Sequence, residues 1–337
     1  MKEYSVIRWN RLKELYIDFT YVKMIVKNKY GYQIKENSLD EFISNISSYK
    51  EINEKNLLDL LENETYKKAM VFSIIKYKKN KDKMPIIDDI NSVLLTELFK
   101  EINDINFDNG KYYDGELSEF FRVTYFNKNN EFAVIKMSCI LNENSQIHNE
   151  GGYIEEIDKQ LYDCCKFVID LTKKIVIMCY NDVNSSKINT STQITIKKTA
   201  FRNLFAISNK NILKYDLSRN LMKYFNEYIE EIKNNDIHKL ISIIQASTCE
   251  INSLEKSLIR SVKHNFVHSN KRLDAIIDAI ENEHLIISEI QSCIDDVEIN
   301  VHMKGEIFCI NSFFYKEVAE NVCKEFFYGY EVFKQEL

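Results

Sequence analysis

The chain has 337 residues, a net charge of −6, 45% hydrophobic and 28% charged residues, a balance ordinary for a globular protein with one large or two smaller domains. No apolar run approaches the eighteen residues a membrane helix needs, and the N-terminus lacks a signal-peptide core, so the expectation is a cytoplasmic protein with no membrane span. Eight cysteines contain no CxxC pair, which excludes zinc-ribbon and thioredoxin-type motifs and fits reduced, buried thiols.

From the N-terminus, Val6–Trp9 reads as a short strand, and Arg11–Lys27 as a helix through Leu12, Leu15, Phe19, Val22 and Val26. Gly31 is its stop. Ser38 and Glu41 have capping-box spacing ahead of Phe42, Ile43 and Ile46, and Asn56–Asn63 reads as a further helix. Ala69–Tyr77 is rich in β-branched and aromatic residues, as strands are. Residues 76–83 (KYKKNKDK) then form a cationic loop, either a phosphate contact or a solvated turn. Asp88–Ile102 carries a helical stripe, and the glycines of 108–116 mark a boundary between regions 1–110 and 111–337.

Beyond the boundary the texture changes. Phe120–Phe126 and Phe132–Leu141 read as a β-hairpin, and Asn142–Gly152 as a polar loop. Tyr153–Cys165 reads as a helix, Lys166–Asp170 with Ile175–Tyr180 as a second hairpin, and Asp182–Thr192 as a polar linker. Gln193–Lys198 reads as a strand running into a short helix at Thr199–Ala206, and Tyr215–Lys233 as a long helix. Ile237–Ala246 fits helix or strand. Val297–His302 and Glu306–Ile310 pair across 303–305, and Phe313–Phe333 closes the chain as an aromatic-rich helix. The expected fold class is α+β, with antiparallel β-hairpins packed against several amphipathic helices and helix-rich ends.

The chemistry concentrates in 256–272. There Lys256, Arg260, Lys263, Lys271 and Arg272 stand with His264 and His268 and no carboxylate. At about 100° per residue, Leu258, Ile259, Val262, Phe266, Leu273, Ile276, Ile277 and Ile280 share one face and the cations the other. A basic amphipathic helix of this kind contacts phosphates through charge, without reading bases. The same pattern also suits an exposed helix whose cations meet acidic neighbours. Lysines outnumber arginines 38 to 7, as an AT-rich coding bias produces, so each arginine is the more informative cation.

His264 and His268 at i and i+4 share a helix face, as metal-binding pairs do. Asn265 replaces the glutamate that a zincin needs after its first histidine, so no metal is assigned. Lys263-His-Asn-Phe-Val-His268 resembles the motif of HEPN-type ribonucleases, in which four to six residues separate an arginine from a histidine. Lysine stands here where the family has arginine. The resemblance implies His268 as acid or base, Lys263 as the cation that stabilises phosphate charge, and a homodimer. Lysine supplies a point charge in place of arginine's planar fork.

No P-loop, dinucleotide fingerprint or nucleophile elbow occurs, and Glu231-Ile-Lys233 falls in an expected helix and not on a nuclease strand. No cofactor is expected. The leading expectation is a nucleic-acid- or polyanion-binding protein using Lys256, Arg260, Lys263, His264, His268, Lys271 and Arg272. Its alternatives are a HEPN-like ribonuclease and an assembly module built on the C-terminal aromatic helix. The HEPN resemblance and the AT-rich composition together suggest a phage-defence or mobile-element setting.

Overall fold

The computed structural model describes residues 2–79, 85–89, 110, 116–129, 132–148, 154–170, 175–185, 188–204, 212–214, 221, 248–253, 260–263, 285–294, 297–302, 304–310 and 312–313. The described elements mix helices with antiparallel strands, an α+β fold. The chain forms two compact units interleaved along the sequence. The first comprises Met1–Tyr66, Ile90–Lys173 and Tyr180–Asn209, and the second Lys67–Asp89, Lys174–Cys179 and Lys210–Leu337.

The first unit opens with four helices: α1 (Lys2–Glu14), α2 (Phe19–Tyr30), α3 (Leu39–Asn45) and α4 (Glu54–Glu64). The strand expected at Val6–Trp9 is part of α1, and the single helix expected over Arg11–Lys27 is broken at 15–18. Two local features make the break. Tyr16 takes a positive φ of 60°, and the Asp18 side chain accepts from the Thr20 N–H and so caps α2. Gly31 ends α2 at φ 74°, where its N–H donates to the Lys27 carbonyl. Ser38 caps α3 through the Glu41 N–H, and Glu41 reaches back to the Asn37 N–H, one residue before the usual partner. Trp9, Leu12, Val22, Val26, Phe42, Leu57, Leu58 and Leu61 make one apolar core among these helices.

The unit's other described elements are three antiparallel strands, β3 (Arg122–Lys128), β4 (Phe132–His148) and β5 (Ile154–Asp170), and α5 (Thr190–Leu204). The β3–β4 hairpin lies where the sequence placed it. The other two expectations here fail. The polar loop at 142–152 gives way to strand through His148, and the helix at Tyr153–Cys165 is strand, paired with β4 over seventeen positions. Ile154, Ile157 and Leu161 mimic helical spacing, but burial of Leu161, Asp163, Cys165, Phe167 and Ile169 follows the two-residue period of a strand. Partner pairing decided between two readings that local spacing left equivalent.

Helix α5 reverses the strand expected at Gln193–Lys198. Asn189 caps it by accepting from the Thr192 N–H at 2.9 Å. Its inward face is Gln193, Lys197 and Phe201, four residues apart, so the helical stripe is hidden by two polar members. Gln193 earns its burial by bonding the Val183 N–H and the Val183 and Ile188 carbonyls. Phe201 stacks on Phe167 of β5 at 4.4 Å between centroids.

The second unit is a sheet in the order β6-β1-β12-β11-β10-β8-β9, with β2 and β7 also pairing β1. Its strands are β1 (Lys68–Lys79), β2 (Pro85–Asp89), β6 (Ile175–Tyr180), β7 (Ile212–Lys214), β8 (Thr248–Ser253), β9 (Arg260–Lys263), β10 (Leu285–Ile294), β11 (Val297–His302) and β12 (Glu306–Cys309). Ala69, Met70, Val71 and Phe72 are buried in succession, so both faces of β1 are covered there. In β11 and β12 burial alternates, with Val297, Ile299, Val301, Ile307 and Cys309 inward. Gly305 turns between them at φ 80°, as the expected hairpin requires. The loop expected at 76–83 is strand as far as Lys79, and of the helix expected at Asp88–Ile102 the first two residues lie in β2; 80–83 and 90–102 lie outside the described residues. Tyr215–Lys233, Ile237–Ala246 and Phe313–Phe333 lie, but for Leu221 and Phe313, outside the described residues.

Candidate functional site

Of the seven residues assigned to the basic segment, Arg260 and Lys263 are described. They do not lie on a helix. Both belong to β9, which pairs antiparallel with β8 and is the last strand in the sheet order. The register places Arg260 opposite Ile251 and Lys263 opposite Thr248. Four residues of extended backbone interrupt the single stripe expected over 256–272, since helical periodicity does not cross them. Residues 248–263 hold the β-branched positions Thr248, Ile251, Ile259 and Val262, which suit strands, and the helical reading counted the last two on its apolar face. Lys256, His264, His268, Lys271 and Arg272 lie outside the described residues.

The first unit holds a different concentration of charge, and it is buried. Arg8 of α1 forms a two-pronged bond to Glu62 of α4, Nε to Oε1 at 2.6 Å and Nη2 to Oε2 at 2.8 Å, and Nη2 also reaches Asp59 Oδ1 at 2.5 Å. Lys136 Nζ of β4 donates to Glu62 Oε2 at 2.6 Å, and the Tyr162 hydroxyl of β5 to the same oxygen at 2.9 Å. From Tyr162 the chain of contacts runs to Ser138 at 3.0 Å and on to Thr124 at 2.9 Å. Arg8, Asp59, Glu62, Lys136 and Tyr162 are each at most 5% exposed. Two cations meet two carboxylates, so the group is neutral.

Burial alone would disfavour the Arg8 cation, but Glu62, Tyr162 and Asp59 hold its pKa above the ordinary value. Burial likewise pushes Glu62 up, and Arg8 and Lys136 more than reverse it, bringing Glu62 down to about 2. Each charge is thus kept by its partners.

The opposite face of β5 carries a second pair. Lys197 of α5 bonds Asp163 with both side chains within 3% of full burial. Burial opposes the Lys197 charge and Asp163 outweighs it, raising its pKa. Cys139 lies across from Asp163 in register, and burial raises the Cys139, Cys164 and Cys165 thiols, Cys164 to about 11. Such thiols are poor nucleophiles at neutral pH. Cys139, Cys164, Cys165, Cys179 and Cys309 are in no disulfide.

Both groups are closed to solvent, which suits internal clamps: one ties α1 and α4 to β4 and β5, the other ties α5 to β5. The sequence reading missed them. Asp59 and Glu62 fall inside the helix expected at Asn56–Asn63, and Lys136 and Asp163 interrupt apolar runs, all without any local sign of burial. Arg8 offered the one usable signal, an arginine between Ile7 and Trp9 in an arginine-poor chain.

No family model matches the chain. No curated protein matches it either. Among the described residues no group of His, Cys, Asp and Glu is placed to hold a metal ion, and no helix is long and apolar enough to cross a membrane.

Proposed function

We propose that this chain binds nucleic acid, holding backbone phosphate through the basic segment 256–272, with Arg260 and Arg272 as its principal contacts. The observation that carries the reading is the run itself: five cations and two histidines with no carboxylate, in a chain of net charge −6. Neutralising phosphates releases condensed counterions, so such a run binds without reading sequence. The position of β9 at the end of the strand order supports it, because an end strand has one flank not taken up by β8. The buried ion groups of the first unit take no part, being closed and neutral.

A gel-shift series with duplex and single-stranded probes tests the reading. Arg260→Ala with Arg272→Ala weakens binding at least tenfold, and by a similar factor on unrelated sequences. Unchanged affinity in the double variant removes the reading. RNA cleavage that disappears in His268→Ala replaces it with the ribonuclease alternative.

A further inference from the structure

We draw no further inference here: the strongest candidate, the surface patch of Lys23, Lys27, Lys29 and Lys35 on α2 and the turn after it, is matched in number by Asp18, Glu36, Asp40 and Glu41 close along the chain, and nothing in the structure shows what covers it.

Discussion

Arg8 is the residue on which the first unit's electrostatics turn. Its guanidinium neutralises Glu62 and Asp59 inside a site where none of the charges reaches water. Removing one member of such a group strands the others, which costs far more than the group contributes when complete. Arg8→Met leaves two carboxylates against Lys136 alone and lowers unfolding free energy by about 3–5 kcal/mol in denaturant titration. A cost under about 1 kcal/mol would mean that the charges are solvated after all. Glu62 sets a pH dependence as well. Its folded pKa of about 2 lies below that of an unfolded glutamate. The stability it contributes is therefore fully present above about pH 4.3 and is lost as pH falls toward 2. Glu62→Gln flattens that part of the acid-unfolding profile; a profile with the wild-type slope would assign the acid sensitivity to other groups.

Among the elements, the sequence was most legible where a local chemical rule had no competitor. Ser38 caps α3 through its own side chain, and Gly31 ends α2 because φ 74° suits glycine and few others. A Cβ at Gly31 would meet nothing within 4 Å, so only backbone conformation resists a larger residue. Gly31→Ala accordingly costs about 1 kcal/mol with no change in the unfolding cooperativity, read from the denaturant midpoint and slope. A neutral substitution would show that α2 ends for another reason. Legibility failed where two periods fitted the same residues. Ile154, Ile157 and Leu161 spelled a helix, but a seventeen-position register with β4 holds them in strand. At α5 the inward positions are Gln193 and Lys197, which a hydrophobic count assigns to solvent. Their burial follows from partners distant in sequence, Val183 and Asp163, and no window of neighbouring residues contains that information. The basic segment fails in the same way: β8 recruits Arg260–Lys263 into strand, although the spacing of Ile259, Val262 and Phe266 favours helix.

At the scale of the whole molecule, negative charge predominates, and two sequence runs, 76–83 and 256–272, each hold five lysines or arginines. Both runs belong to the second unit, and the first unit neutralises its own buried charges internally. The closed ion pairs thus belong to the first unit, and the proposed polyanion contacts to the second. Strand β1 of the second unit finds β6, β7 and β12 across insertions that belong to the first. The most direct measurement is the salt titration of wild-type binding to a DNA duplex between about 50 and 200 mM, the range over which phosphate contacts declare themselves. Cations acting together on phosphate give a log–log slope of roughly −4 or steeper; a slope near zero, or no binding at the lowest salt, contradicts the account.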